Sequence, residues 1–152
     1  EDENALPTQL YLSTNAADYQ SFLKINRPRY DDSWERWNRT LKMLSKLHTR
    51  TVLRLTLIRG YNDNEEMVPA FASLLRQSNA HFVEIKSYMH IGRSTNRLEY
   101  SDMLEMDEVR SFANKLVQEN STFTVMDESE ISRIVILQNK KRFVDRFIPA
   151  YC

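Results

Sequence analysis

Cysteine is almost absent from this 152-residue sequence, whose single thiol belongs to the last residue, Cys152. One thiol forms no internal disulfide and no cysteine-rich metal site, so we expect no metal site in the chain and a reducing, cytoplasmic setting. No apolar run approaches the roughly 20 residues that a membrane-spanning helix needs, and no signal peptide is visible. These absences argue against the disulfide-rich secreted class and the membrane-spanning class.

A surplus of charge is also missing, because 21 basic residues balance 21 acidic ones. The chain as a whole is therefore not drawn to nucleic acid or to membranes, and any such contact has to come from a local basic patch. Glycine is scarce too, with only Gly60 and Gly92. Each closes a strand-like run, where a turn can require a positive φ.

What is present is an alternation of strands and helices that suits one domain with a sizeable core. The clearest helix covers 33–48, where apolar residues recur at steps of three and four, and Asp32 followed by Glu35 predicts a capping box at its start. The other predicted helices are 16–25, 65–78 and 107–120, and the predicted strands are 8–16, 51–60, 81–89, 123–127 and 132–138.

This order, β-α-α-β-α-β-loop-α-β-β, predicts βαβ units and a mostly parallel sheet in the α/β class, with a β-hairpin formed by the last two strands. Right-handed crossovers place the helices on one face of the sheet if it curls as in a barrel.

Polar residues recur on one face of three predicted strands, because neighbouring side chains along a strand point to opposite faces. One interpretation is a solvated sheet face, or a satisfied structural network of ion pairs. The other is a wet barrel lumen that holds a polar ligand, since charges seldom point inward without a task. The polar positions are Ser13 and Asn15, then Arg54 and Thr56, then Glu84, Lys86 and Tyr88.

A basic loop follows the third of these strands, with Arg93, Asn96 and Arg97 after Gly92. Cations and amides close to Tyr88 and a histidine suit phosphate contacts and base stacking. The alternative is an ordinary solvated loop.

Several long segments resemble one family of radical S-adenosylmethionine enzymes, the 4-demethylwyosine synthases, which build the tricyclic wyosine base of phenylalanine tRNA. The segments occur in the same order in both, from about residue 7 to 137. They are PTQLYLST (7–14), INRP (25–28), RTVLRLTLIRGYN (50–62), FVEIKSYMHIGRSTNRL (82–98) and DESEISRIVIL (127–137).

The resemblance implies a tRNA-modifying enzyme of wybutosine biosynthesis, of the carbon–carbon lyase class, on a partial (β/α)6 barrel. Such an enzyme condenses N1-methylguanosine in phenylalanine tRNA with pyruvate. It uses S-adenosylmethionine, a [4Fe–4S] cluster and an electron donor.

One departure from the family is large, because the family holds its cluster on a CxxxCxxC motif and this chain has only Cys152. Iron–sulfur clusters are held by thiolates, so the cluster ligands are not in this chain. We therefore expect residues 1–152 to be the C-terminal part of the barrel domain, inactive without an N-terminal half. A non-catalytic tRNA-binding or scaffold domain is the alternative, and a small-molecule α/β enzyme is a third hypothesis.

The resemblance also implies roles for individual positions, although it assigns no catalytic acid or base. The expected cofactor-binding residues are Ser13, Asn15, Thr56, Tyr88 and Met89. The expected substrate-binding residues are Arg54, Asn62, Glu84 and Lys86, and the expected RNA-binding residues are Arg93, Asn96 and Arg97.

Overall fold

A computed structural model describes residues 6–148 of the chain. The elements follow the predicted order. The strands are β1 (Gln9–Ser13), β2 (Arg50–Leu57), β3 (Phe82–Ser87), β4 (Phe123–Ser129) and β5 (Ile134–Asn139), and the α-helices are α1 (Tyr19–Asn26), α2 (Ser33–Met43), α3 (Met67–Ser78) and α4 (Met106–Glu119).

The five strands form one sheet in the order β1-β2-β3-β5-β4. The pairings of β1 with β2 and of β2 with β3 are parallel. The pairings of β5 with β3 and with β4 are antiparallel, and β4 and β5 form the predicted C-terminal hairpin. The sheet is therefore mixed rather than mostly parallel, because the hairpin adds its second strand, and not a further βα unit, to the edge of β3.

The core lies between one face of this sheet and the helical layer. Alternate residues of the strands, such as Leu55 on β2 and Ile85 on β3, are fully buried against apolar residues of α3 and α4, including Phe71 and Phe112. Burial of a side chain of this size stabilises the fold by about 1.5–3 kcal/mol. The opposite sheet face carries Arg54, Glu84 and Lys86, but also the buried apolar side chains of Val52 and Phe82, so the strands have one apolar face and one mixed face.

The helix starts differ in part from the sequence prediction. Asp32 precedes α2 but makes no side-chain cap, because its carboxylate accepts a hydrogen bond from Arg36 Nε at 2.7 Å. The capping box predicted there is therefore wrong. Asp18 caps α1 instead, since its Oδ1 accepts a hydrogen bond from the Ser21 amide at 2.9 Å. Pro69 lies in the first turn of α3, where no intrahelical amide donor is lost.

Both glycines adopt the left-handed backbone that the sequence predicted, with φ of 72° at Gly60 and 62° at Gly92. The basic loop after β3 is built from two short 3₁₀ helices, Gly92–Asn96 and Tyr100–Asp102. Within residues 6–148 no helix has the length and apolar character needed to cross a membrane.

Candidate functional site

The polar residues predicted on three strands share the sheet face opposite the helical layer, which we call the open face. Ser13 pairs in register with Arg54, and Arg54 pairs with Glu84, so the three form one row across β1, β2 and β3. Thr56 and Lys86 form the next row towards the carboxyl ends of the strands. Residues far apart in the sequence therefore face one space.

Arg54 and Glu84 form a two-pronged ion pair within the first row. Arg54 Nε donates to Glu84 Oε1 at 2.7 Å, and Nη2 donates to Oε2 at 3.2 Å. The guanidinium also lies over the ring of Tyr11, with its Cζ 4.4 Å from the ring centre. The hydrogen bonds to Glu84 raise the pKa of Arg54, so this cation stays charged at every physiological pH.

Lys86 differs from Arg54, because its ammonium makes no hydrogen bond or ion pair with any side chain between residues 6 and 148. It is half-buried beside Thr56 in the second row. An unpaired ammonium on a partly buried surface favours an anionic group of a ligand, such as a carboxylate.

A cavity of about 200 Å³ lies beyond the carboxyl ends of the three parallel strands. Ligands of open α/β sheets bind at this edge, where strand ends and loops meet. Its lining residues combine amide, hydroxyl and aromatic groups with three cations and no acid. They are Asn15, Lys24, Ile25, Arg27, Thr56, Ile58, Tyr61, Tyr88, Ser94, Arg97 and Leu98.

Asn15 and Asn62 fix the shape of this cavity. Asn15 Oδ1 accepts a hydrogen bond from the Thr56 amide at 3.3 Å. Asn62 is fully buried, and its Nδ2 donates to the carbonyls of Asn15 and Thr56 at 2.8 and 2.9 Å. Its Oδ1 accepts from the Ile58 amide at 2.7 Å. Both polar atoms of the Asn62 side chain are thus hydrogen-bonded to backbone groups, and the side chain holds the ends of β1 and β2 together.

A second cavity, of about 320 Å³, lies over the other half of the open face. It is covered by residues 143–148, which we call the strap. Arg50 Nη2 donates to the Arg146 carbonyl, and Gln138 Nε2 donates to the Val144 carbonyl at 2.9 Å. Phe147 lies in the cavity wall with Glu84. The strap therefore closes the end of the open face that lies away from the first cavity.

The structure brings together some of the predicted site residues and separates others. Asn15, Thr56, Tyr88 and Arg97 line the first cavity, whereas Glu84 lines the second. Tyr88 is buried in a small apolar cluster, and Met89 packs against that cluster from outside. Ser13, Arg93 and Asn96 are exposed and line neither cavity.

Sequence reasoning missed the cations from the end of α1. Lys24 lies 4.4 Å from the ring centre of Tyr61 as a cation–π contact, and Arg27 has a positive φ of 46° just after the helix. The signal was present as two cations three residues apart before Pro28. Their position over the strand ends depends on the packing of Ile25 with Ile58 and Tyr88, which no local pattern reveals.

Metal ligands do not cluster in the described part of the chain. Between residues 6 and 148, no group of three or more histidine, cysteine, aspartate or glutamate side chains is placed to hold a metal ion.

Comparison with known protein families gives a match to a family model described as "Wyosine base formation", over residues 77–139. That range contains β3, the basic loop, α4 and the β4–β5 hairpin, and thus the half of the candidate site with Lys86 and Tyr88.

Curated relatives cover nearly the whole chain. A Methanocaldococcus jannaschii protein named S-adenosyl-L-methionine-dependent tRNA 4-demethylwyosine synthase is 43% identical over 143 residues, which are 94% of this chain and 44% of that protein. A Homo sapiens protein named S-adenosyl-L-methionine-dependent tRNA 4-demethylwyosine synthase TYW1 is 33% identical over 135 residues, 88% of this chain and 18% of that protein. The chain thus spans less than half the length of these curated relatives.

Solved structures agree with the sequence matches. One described as "Structure of TYW1 with a lysine-pyruvate adduct bound" superposes with a TM-score of 0.78 and 41% identity, over 90% of this chain and 42% of that one. Another, described as "Crystal structure of archaeal TYW1", gives a TM-score of 0.71 and 37% identity, over 93% of this chain and 43% of that one. The mixed sheet and its helical layer are therefore the fold of part of those proteins.

Proposed function

We propose, from the premise that the chain is homologous to the tRNA 4-demethylwyosine synthases, that it forms the C-terminal part of such an enzyme's barrel domain. The complete enzyme would act in the cytoplasm in wybutosine biosynthesis, condensing N1-methylguanosine of phenylalanine tRNA with pyruvate. This chain alone would be inactive, because the proposed reaction needs a cluster whose thiolate ligands it lacks.

The open polar face of the sheet is the observation that carries this proposal. The Arg54–Glu84 pair lies on this face with Glu84 7% exposed and Arg54 partly exposed, although burying charges costs free energy even when they are paired. The same row is explained if further barrel strands continue the sheet beyond β1 and curl over this face. The chain's share of 44% of its archaeal relative leaves residues for such strands.

The first cavity supports binding of part of S-adenosylmethionine. Its volume of about 200 Å³ is below the roughly 300–1,000 Å³ of a complete ligand pocket, so the remaining strands would complete it. Asn15 and Thr56 offer an amide and a hydroxyl to the ribose, Tyr88 offers a ring to the adenine, and Ser13 and Met89 flank this wall. S-adenosylmethionine bound there would supply the radical chemistry of the family, while these residues hold and orient it.

The iron–sulfur cluster has no matching ligands here, because the residues of 6–148 include no cysteine. We therefore assign the cluster and the electron-donor contact to the N-terminal half of the proposed complete enzyme, and derive no step through them.

Substrate groups are assigned to the open face and its rim. Lys86, whose ammonium has no partner between residues 6 and 148, would hold the carboxylate of pyruvate. The Arg54–Glu84 pair would shape the floor beneath it. Asn62 would act through Asn15 and Thr56, since its own polar atoms are used up.

The exposed residues of the basic loop, at the rim of the first cavity, are assigned to contact with the tRNA. Arg93, Asn96 and Arg97 are exposed on the basic loop beside the cavity mouth. Cations and amides of this kind contact phosphates, while the reacting base enters the pocket.

Product formation by a full-length synthase that carries this chain tests the proposal. Mass spectrometry of nucleosides from N1-methylguanosine-containing tRNA should detect 4-demethylwyosine when pyruvate, S-adenosylmethionine and a reductant are supplied. Lys86→Met should reduce this product strongly, whereas Lys42→Met on the helical layer should leave it unchanged. Binding of the tRNA without product from the wild-type enzyme would favour the non-catalytic alternative instead.

A further inference from the structure

We propose that His90 and Tyr100 form a stacking platform for an unpaired base of the RNA, next to the first cavity. This inference rests on the proposed function, which supplies the RNA, and it adds a second point of recognition to the basic loop. Neither residue belongs to the cofactor, substrate or RNA contacts assigned above.

Three aromatic rings run in contact from the cavity wall to the surface. Tyr88 meets His90 edge-to-face, with ring centres 6.3 Å apart and an interplanar angle of 86°. His90 meets Tyr100 in the same way, at 6.2 Å and 76°. Tyr88 is buried and lines the cavity, whereas Tyr100 is 69% exposed. The array therefore joins the interior of the proposed site to its outer rim.

Hydrogen bonds within the basic loop hold the platform in place, and Tyr88 Oη and His90 Nδ1 lie 3.2 Å apart, within hydrogen-bond distance. The Tyr88 hydroxyl donates to Ser94 Oγ at 3.2 Å, and Ser94 Oγ donates to the Ile91 carbonyl at 2.6 Å. Tyr100 begins a 3₁₀ turn that is fixed by a reciprocal capping box between Glu99 and Asp102. Because these groups are already ordered, a stacked base gains contact area at little cost in conformational entropy.

The surroundings of the platform favour a polyanion. Exposed apolar groups, Tyr100 and Ile91 at 69% each, lie on the same loop as Arg93 and Arg97. Neither guanidinium makes a side-chain hydrogen bond or ion pair within the described range 6–148. The acids of this loop, Glu99 and Asp102, keep their charges but are held in the 3₁₀ turn, where each side chain accepts a hydrogen bond from the other's backbone amide.

Aromatic rings beside free cations are the combination that binds unpaired RNA, since every base offers a π-face and every nucleotide a phosphate. A protein partner is the other class of occupant for exposed rings. RNA is the better match for the unpaired arginines, because every nucleotide carries a phosphate. A protein partner would need an acidic surface at the same place.

Binding of fluorescent phenylalanine tRNA to the protein, followed by anisotropy at several salt concentrations, separates stacking from charge. Tyr100→Ala should weaken binding about fivefold or more, the loss expected for one stacked base, and leave the salt dependence unchanged. Tyr100→Phe keeps the ring and should bind like wild type. Arg97→Ala should weaken binding and lower the slope of log Kd against log salt by about one.

Phe143→Ala is the matched control, because Phe143 is a similarly exposed aromatic residue, at 73%. It follows the end of β5, which pairs with the start of β3, and so lies away from the carboxyl ends of the parallel strands. If Tyr100→Ala binds as tightly as Phe143→Ala while Arg97→Ala is weak, the platform is wrong and the proposed function stands. An equal loss in Tyr100→Phe and Tyr100→Ala would also overturn stacking. A wild-type protein that does not bind the tRNA contradicts the proposed function itself.

Discussion

On the open face, the Arg54–Glu84 ion pair contributes to stability because an unpaired buried charge costs free energy. Glu84 is 7% exposed and depends on Arg54 for its compensation. Arg54→Met leaves that carboxylate buried and unpaired, so we expect a loss of about 2 kcal/mol in the free energy of unfolding. Adding Glu84→Gln removes the charge and should restore most of the loss. Urea denaturation of the single and double variants measures both effects.

The control for this pair is the exposed ion pair between Arg36 and Asp32. Arg36→Met should change the free energy of unfolding by less than about 0.5 kcal/mol, because water already solvates both charges. A double variant at position 54 and 84 that is less stable than Arg54→Met would contradict the buried-pair account.

His81 is a buried residue whose titration we expect to lower stability in mild acid. Its Nδ1 accepts from the Thr51 amide at 3.1 Å, and burial together with the Arg142 and Arg50 cations lowers its pKa from 6.5 to about 4. Between these values the unfolded chain binds a proton that the folded chain does not. Stability should therefore fall as pH falls from 6.5 to 4, by on the order of 2 kcal/mol.

His81→Asn keeps an acceptor near the Thr51 amide and removes the titration. Its unfolding free energy should change less than that of wild type over the same pH range, when both are measured by urea denaturation at each pH. Parallel curves for the two proteins would show that another group sets the acid dependence.

At the scale of elements, Asn62 holds the ends of β1 and β2 in register. Asn62→Asp keeps the acceptor for the Ile58 amide but replaces the donor to two carbonyls by a buried negative charge. We expect a loss of about 2–3 kcal/mol in stability. Amide hydrogen exchange should become faster at the ends of β1 and β2 than in the helical layer.

Asn38→Asp provides the comparison for this change. Asn38 donates to the Trp34 carbonyl at 2.9 Å on the half-buried side of α2, and loss of that bond should cost under about 1 kcal/mol. Equal exchange rates across β1, β2 and the helices in Asn62→Asp would contradict the role of Asn62 at the strand ends.

The elements themselves were predictable, because period-two and period-three-to-four patterns mark surfaces that must face a core. The pairing directions were only partly so. No local pattern shows that β5, and not a further parallel strand, pairs with β3. The capping box predicted for α2 was wrong because Arg36, one turn along the helix, binds the Asp32 carboxylate instead.

For the candidate site too, the sequence predicted which strand residues share a face but not the contacts that depend on tertiary packing. Alternation placed Ser13, Arg54 and Glu84 on one face, and the register puts them in one row. The cations from the end of α1 and the covering strap were not predicted, because their positions depend on tertiary packing. The buried role of Asn62 was hidden as well, since a polar residue after a glycine turn reads as exposed.

For the whole molecule, the central claim is that the open sheet face is one wall of a ligand chamber that further strands complete. Acetylation of lysines followed by mass spectrometry tests it most directly, in this chain and in a full-length synthase that carries it. Lys86 should react in the chain and be protected in the full-length enzyme with S-adenosylmethionine and pyruvate, while the exposed Lys42 reacts in both. Equal labelling of Lys86 in both proteins would contradict the claim.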